Sequence, residues 1–319
     1  MSALEPIGLQ RPARERTQPR TSGLTMMQAN VLMLLAAAAW GAGNVSQKLI
    51  LEHMDPFAAN GITCLIGAVA LCPLLGREMM QDLPKVAGSI GLLLRAAVTF
   101  AVASTLMQIG YGQTTVTNAG FLGNTAAVMT PIIAWILYRQ RPAIWIWPAS
   151  FCSMIGVFLM GGGGLSTFAP GDVISLGAAG FYAIWAIFVG QFVMRCRRSA
   201  LLTVVQLFVC GCACLVLSAV VYGWPSGAAV LAAWREVLLL GLVTKGLAYA
   251  LMAKAQEHVP PSVASILVSA EAVFGAVAAS LFLGEVAGLS RLAGACFIVV
   301  GLTIAALIPP DLGNPGPRK

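Results

Sequence analysis

The chain has 319 residues, of which 58% are hydrophobic and only 10% are charged. A soluble globular domain carries roughly a quarter charged residues, so this composition excludes an ordinary soluble protein and indicates a polytopic membrane protein. The net charge of +7 does not indicate nucleic-acid binding, because the basic residues are scattered over short loops.

Ten apolar segments meet or approach the ~20 residues that a helix needs to cross a bilayer core of ~30 Å. In chain order they cover approximately residues 27–48, 57–75, 87–109, 116–138, 143–161, 172–193, 201–222, 235–256, 262–283 and 289–308. Gly, Pro and charged residues separate them, and the connections are too short for a soluble domain. The sequence therefore predicts an all-α membrane protein with ten transmembrane helices.

The two ends of the chain differ in composition from these segments. Residues 1–26 are polar and basic, and residues 309–319 are rich in Pro and Gly, so both are predicted to be disordered tails. The first apolar run begins only after Thr25 and is long enough to span, so we expect no cleaved signal peptide.

The ten segments form two copies of five, the second about 145 residues after the first. The matching landmarks are Trp40 with Trp185, Val98 with Val243, Ala119 with Ala264, and Gly156 with Gly301. Because five is odd, the second copy enters the membrane from the opposite side. Residues 27–164 and 165–308 are thus predicted to be inverted-topology repeats, which are typical of secondary transporters.

The distribution of Lys and Arg predicts the orientation. With the N-terminus in the cytoplasm, fourteen of the 19 basic residues fall on the cytoplasmic side, and only Lys48, Arg235 and Arg291 fall on the outer side. This asymmetry predicts that both termini are cytoplasmic. We expect a multi-pass protein of the bacterial inner membrane.

Three ionisable residues lie within predicted spans. Inserting such a residue at the helix centre costs ~2.5–3.5 kcal/mol, so a structural or functional role is expected for each. Glu271 is interpreted either as a cavity carboxylate, for a cationic group or a proton, or as a structural carboxylate at a broken helix end. Lys245 could hold a substrate carboxylate or form an ion pair with Glu271. Arg95 lies about two turns into the third segment, from where its long side chain can reach the interface.

Uncharged polar and aromatic residues share helix faces with these groups. Trp40 and Asn44 are one turn apart on the first helix, and Tyr182 and Trp185 are one turn apart on the sixth. An amide such as that of Asn124 must face protein or a water-filled cavity. The predicted substrate-binding set is Trp40, Asn44, Asn124, Tyr182, Trp185, Lys245, Tyr249 and Glu271, on a cavity lined by helices 1, 3, 4, 6, 8 and 9.

The sequence offers no catalytic or metal-binding pattern. The 8 cysteines have no partner His or Cys at metal-ligand spacing, and Cys210, Cys212 and Cys214 are spaced by two. We therefore expect no enzyme activity, no cofactor and no metal.

Motifs in the first and ninth helices carry a family resemblance. Trp40-Gly41-Ala42-Gly43-Asn44-Val45 resembles the first-helix signature of the EamA-type branch of the drug/metabolite transporter superfamily. Glu271 to Gly275, followed by Leu283-Gly284-Glu285, is similar to its ninth-helix pattern. Within that branch the chain looks most like YddG-like amino-acid exporters. The resemblance implies export of amino acids or related metabolites by alternating access.

Two other functions remain open at this stage. Glu271 with an aromatic set would also suit a multidrug exporter of cationic amphiphiles. A membrane-embedded enzyme or scaffold is a third interpretation, although one deep carboxylate and one deep lysine make a poor catalytic set. The expected partners are a small-molecule substrate and the lipid bilayer, without nucleic acid, and a monomer is compatible with the sequence.

Overall fold

The computed structural model describes residues 24–78, 86–139, 142–161, 169–283 and 288–308. Most of the two predicted tails, the junction between the halves and Glu285 lie outside these ranges, as do several of the cations that predict the orientation. The first helix begins at Met26, at the end of the predicted N-terminal tail.

The first half contains five helical segments. They are α1 (Met26–Leu49, followed by a 3₁₀ turn Ile50–Glu52), α2 (Pro56–Glu78), α3 (Ile90–Gln113), α4 (Val116–Asn124 and Ala126–Tyr138) and α5 (Ile146–Met160). A reciprocal cap starts α1, because the Thr25 hydroxyl accepts from Gln28 N at 3.2 Å while the Gln28 side chain accepts from Thr25 N at 2.8 Å.

The second half repeats this pattern. It contains α6 (Pro170–Cys196), α7 (Ser199–Val221), a short helix Gly227–Ala232, α8 (Trp234–Leu238, a π-helical stretch Leu239–Leu247, and Ala248–Ala255), α9 (Pro261–Val268 and Ala270–Leu283) and α10 (Leu289–Ala306).

Ten apolar helices of the described ranges account for the ten predicted spans. Eight are long and apolar enough to cross a membrane, and Ile146–Met160 and Pro261–Val277 are shorter apolar helices. No strand occurs in the parts of the chain that the structure describes. The predicted all-α membrane fold is confirmed.

Helix packing shows that the two halves are related by a pseudo-two-fold axis. α3 packs along α6 and contacts α7; in the same way, α8 packs along α1 and contacts α2. α2 pairs with α7, and α5 pairs with α10, across the axis. Exchanging each helix with the one five places later reproduces these contacts, as an inverted repeat with an odd number of spans requires.

The contact between α5 and α10 reproduces the 145-residue offset at single residues. A Cβ on Gly156 would lie 2.7 Å from the carbonyl oxygen of Gly294, and a Cβ on Gly301 would lie 2.8 Å from that of Ala149. Gly301 and Gly294 are the counterparts of Gly156 and Ala149 at this offset. The two small-residue contacts are therefore equivalent under the repeat, and they bring the backbones of α5 and α10 close together.

The fourth helix of each half is broken near its middle. In α4 the break is at Thr125, and in α9 it is at Ser269. Broken helices inside a membrane are tolerated where the freed backbone groups are buried in protein or line a cavity. The two breaks mark the central part of the molecule, where the cavity lies.

Candidate functional site

A partly open chamber lies between the two halves, with a volume of about 120 Å³. It is lined by residues of α1, α3, α4, α6, α8 and α9, the same six helices that the sequence indicates. The lining residues are Trp40, Asn44, Gln47, Met107, Tyr111, Gly123, Asn124, Ala126, Ala127, Tyr182, Trp185, Ala186, Tyr249, Met252, Ser265, Val268 and Glu271.

One side of the chamber is an aromatic wall, formed by Trp40, Tyr182, Trp185 and Tyr249. The ring of Tyr249 lies 5.0 Å from that of Trp40 and 5.5 Å from that of Trp185, both edge to face. The hydroxyl groups of Tyr182 and Tyr249 are 3.3 Å apart. Phe100 stands behind the wall, 4.9 Å from Tyr249. Such edge-to-face contacts favour one arrangement of the rings.

Hydrogen bonds to the protein fix the two indole rings. Trp40 Nε1 donates to the carbonyl oxygen of Thr244 at 3.1 Å, and Trp185 Nε1 donates to Gln206 Oε1 at 2.8 Å. Both indole donors are therefore used outside the chamber. The faces of the rings remain available to apolar groups or cations of a solute.

The polar side of the chamber is built around Glu271. Asn124 Nδ2 donates to Glu271 Oε1 at 3.3 Å and to the carbonyl oxygen of Gly120 at 3.1 Å. Asn44 is a second hydrogen-bonding neighbour of Glu271, and it also accepts from the Tyr111 hydroxyl at 3.2 Å. Among the described lining residues, Glu271 is the one with a charged side chain.

The position of Glu271 is compatible with both of its predicted roles. It lies in the first turn of Ala270–Leu283, directly after the break in α9, where the helix dipole favours a carboxylate. It also lines the chamber. The carboxylate is thus held by a broken helix end and is open to a solute at the same time.

Lys245 does not line the chamber, although its Nζ lies 5.9 Å from the ring centroid of Tyr249, which does. The residue is only 2% exposed, and its Nζ donates to Ser104 Oγ at 2.8 Å and lies 6.0 Å from the ring centroid of Phe100. No ion pair joins the two described residues Lys245 and Glu271. Lys245 lies in the π-helical stretch Leu239–Leu247, and its side chain ends on α3 instead of in the chamber.

The remaining predicted residues all line the chamber, and several further residues join them. Gln47 continues the face of Trp40 and Asn44, and Met252 follows Tyr249 by one turn. Met107 and Tyr111 on α3 carry the i, i+4 spacing that could have identified them. Arg95 has an exposed side chain and does not line the chamber.

The chain is similar in sequence to proteins described as uncharacterized transporters. One from Bacillus subtilis is 23% identical over 286 residues, covering 88% of this chain and 94% of that protein. One from Clostridium kluyveri is 24% identical over 298 residues, with coverages of 88% and 93%. One from Archaeoglobus fulgidus is 28% identical over 167 residues, about half of each chain.

The fold and the repeat are also found by comparison. A solved crystal structure superposes with a TM-score of 0.71 at 15% sequence identity, covering 89% of this chain and 98% of that one, which supports the fold. The model of the EamA-like transporter family matches twice, at residues 27–162 and 169–307, once for each half. The chain belongs to the EamA-like transporter family.

Proposed function

We propose that this EamA-like transporter exports small organic metabolites that carry an ammonium group, with amino acids as the first candidates. The proposal places it in the inner membrane with both termini in the cytoplasm, as the distribution of Lys and Arg predicts. The single observation that carries the choice of substrate is the pairing of one carboxylate, Glu271, with an aromatic wall across a small chamber.

The size of the chamber favours a small solute. A cavity of about 150 Å³ holds benzene, so 120 Å³ has room for a solute of only a few heavy atoms. Drug-sized ligands occupy sites of about 300–1,000 Å³. In this conformation the chamber suits a small amino acid better than a large amphiphile.

The lining offers a place for each part of such a solute. Glu271 and the carbonyl oxygens around it would accept from the ammonium group. The aromatic wall would contact the apolar side chain. The amide of Gln47, which lines the chamber, would donate to the carboxylate. Lys245, the predicted partner of that group, donates to Ser104 and does not line the chamber.

A second candidate is export of cationic amphiphiles. It is favoured by the same carboxylate and by the four rings of the aromatic wall, since a cation over such rings gains about 0.5–2 kcal/mol. It requires no partner for a carboxylate, and the described lining residues include no cation. Removing the carboxylate of the solute should therefore weaken transport under the first candidate but not under the second.

Alternating access would use the contact between α1 and α9. A Cβ on Gly41 would lie 2.5 Å from the carbonyl oxygen of Glu271 and 2.8 Å from Gly275 N, so the two backbones lie against each other here. Movement of α9 against α1 would carry Glu271 with it. The inverted halves supply the two equivalent arrangements that alternating access needs.

Flux measurements in proteoliposomes test the proposal. Each labelled amino acid is compared with the amine that lacks its carboxylate, and with a quaternary ammonium amphiphile. Saturable flux for amino acids, with lower affinity for the matching amines, supports amino-acid export. Saturable flux for amines and amphiphiles alone supports the second candidate. Absence of saturable flux for every solute in the panel contradicts both.

A further inference from the structure

A cluster of three buried thiols lies between α2 and α7, and none of the three lines the chamber. The thiol cluster consists of Cys64 on α2 and of Cys210 and Cys214, one turn apart on α7. The Sγ atom of Cys210 lies 3.7 Å from that of Cys64 and 3.9 Å from that of Cys214. All three residues are at most 1% exposed. The thiols therefore meet where α2 and α7 pair across the pseudo-two-fold axis.

A directed chain of hydrogen bonds links Lys245 to these sulfur atoms. Lys245 Nζ can only donate, and it donates to Ser104 Oγ at 2.8 Å. The Ser104 hydroxyl in turn donates to Asn60 Oδ1 at 2.8 Å. The amide oxygen of Asn60 is thereby fixed toward Ser104, so its Nδ2 faces the thiol cluster.

Donors converge on the sulfur of Cys214. Asn60 Nδ2 lies 3.4 Å from Cys210 Sγ and 3.5 Å from Cys214 Sγ. The Thr105 hydroxyl lies 3.1 Å from Cys214 Sγ, the shortest contact that a sulfur atom of the cluster makes. Because an amide nitrogen can only donate, Cys210 Sγ and Cys214 Sγ both accept from Asn60, and Cys214 Sγ alone of the two also contacts the Thr105 hydroxyl. A thiolate accepts such bonds more strongly than a thiol, because it is charged.

The buried ammonium group of Lys245 needs a counter-charge. An unpaired charge within a span is costly, and buried charges are ordinarily paired. Glu271 lines the chamber and accepts from Asn124, and no described carboxylate forms an ion pair with Lys245. The packed elements offer only Ser104 and Thr105 from α3, Tyr182 from α6, Tyr249 from α8, and the thiols themselves.

We propose that Cys214 is a thiolate that balances Lys245 across the Ser104–Asn60 bridge, and that it is a site of covalent modification by small thiol-directed electrophiles. With a methyl methanethiosulfonate reagent, the Cys214 sulfur attacks the sulfenyl sulfur. The new S–S bond forms, the S–SO₂ bond breaks, and methanesulfinate leaves with the electron pair. No proton has to be removed first. The modification leaves Lys245 without its counter-charge.

Infrared spectroscopy of the S–H stretching band tests the charge state without requiring access to the buried site. The chain has 8 cysteines, and none of them forms a disulfide, so seven S–H groups are expected in the wild type. Cys212→Ala removes an exposed cysteine and should lower the band by one thiol. Cys214→Ala should leave the band unchanged. Equal losses for Cys212→Ala and Cys214→Ala would overturn the proposal.

The lysine variant tests the pairing itself. Lys245→Met keeps the length of the side chain and removes the charge, so the band should rise by one thiol. An unchanged band in folded Lys245→Met would overturn the pairing, and the two cysteine variants test the thiolate even if this variant does not fold.

Modification rates give an independent readout. A free thiol is only a few per cent ionised at pH 7, so labelling of Cys214 by methyl methanethiosulfonate should be on the order of tenfold slower in Lys245→Met. Labelling of Cys212 should be equal in both proteins. This test does not depend on which solute is transported, and an equal rate at Cys214 in both proteins would contradict the role of Lys245.

Discussion

The Nζ atom of Lys245 lies 6.0 Å from the ring centroid of Phe100, and these two residues occupy the same position in the two halves, 145 residues apart. The pseudo-symmetric frame therefore brings its own non-equivalent residues together near the centre of the molecule. Phe100 supports the aromatic wall from behind, 5.6 Å from Trp185. Lys245 instead belongs to a polar network with Ser104 and Asn60, none of which lines the chamber. The arrangement of helices is repeated in the two halves, whereas the side chains at equivalent positions differ.

Replacing Glu271 by Gln should weaken the binding of ammonium-bearing solutes. A hydrogen bond to a charged group contributes about 1.5–3 kcal/mol, compared with about 1 for a neutral one, so the apparent affinity should fall by about twofold to thirtyfold. Tryptophan fluorescence titration would measure this, because Trp40 and Trp185 line the chamber.

Glu236→Gln is the matched control, since Glu236 lies in α8 outside the chamber. It should bind as the wild type does. An unchanged affinity in Glu271→Gln would show that this carboxylate is structural only.

Gly156→Ala should destabilise the protein through the α5–α10 contact. The new Cβ would lie 2.7 Å from the carbonyl oxygen of Gly294 and 2.8 Å from Ile298 N, and neither backbone atom can move independently. Overpacking of this kind costs about 1–3 kcal/mol. Thermal unfolding in detergent would detect it as a lower midpoint.

Gly177→Ala in α6 provides the comparison, because nothing lies within 4 Å of a Cβ there. Removing a glycine from a helix interior stabilises it by about 0.5–1 kcal/mol. Equal effects of the two substitutions would mean that the close contact between α5 and α10 is not tight in the folded protein.

Trp185→Phe should leave a buried amide unsatisfied. Gln206 is 0% exposed, its Nε2 has no partner within the described part of the chain, and its Oε1 accepts only from Trp185 Nε1 in these contacts. Losing that donor should cost about 1–3 kcal/mol.

Adding Gln206→Leu to Trp185→Phe should recover part of this loss, because the second change removes the unpaired amide. A double-mutant cycle from unfolding in detergent measures the coupling between the two residues. Strictly additive effects would contradict the role assigned to this hydrogen bond.

The ten helices and their repeat could be predicted from the sequence, because hydropathy and the positions of small residues can be read along the chain. The offset that relates Gly156 to Gly301 is visible as two glycines, and the structure places them in the same contact. Seven of the eight predicted site residues line the chamber, since Trp40 and Asn44, for example, share a face by helical spacing alone.

The end point of the Lys245 side chain could not be predicted from helical spacing. Its Nζ donates to Ser104 of α3, which is a tertiary contact. The thiol cluster was missed for the same reason. Cys210 and Cys214 share a face of α7, but Cys64 joins them only through the pairing of α2 with α7, which is a tertiary contact.

The pH dependence of stability should report on His258, which lies in the turn between α8 and α9. Burial, together with the guanidinium of Arg197 beside it, lowers the pKa of His258 from its ordinary value of 6.5. Arg197 Nη1 lies 3.1 Å from His258 Nε2, so the neutral ring accepts from the guanidinium. Glu257 and Lys254 also face the ring, and their charges act in opposite directions.

Because the folded state disfavours the protonated ring, the unfolded state binds more protons once the pH falls below about 6.5. The contribution of His258 to stability is therefore complete above this pH and is lost progressively as the pH falls toward the folded pKa. Thermal unfolding in detergent between pH 8 and pH 5 should show the loss. His258→Gln keeps an acceptor for Arg197 without titrating, so its curve should be flatter there. A wild-type slope in His258→Gln would mean that other groups cause the loss.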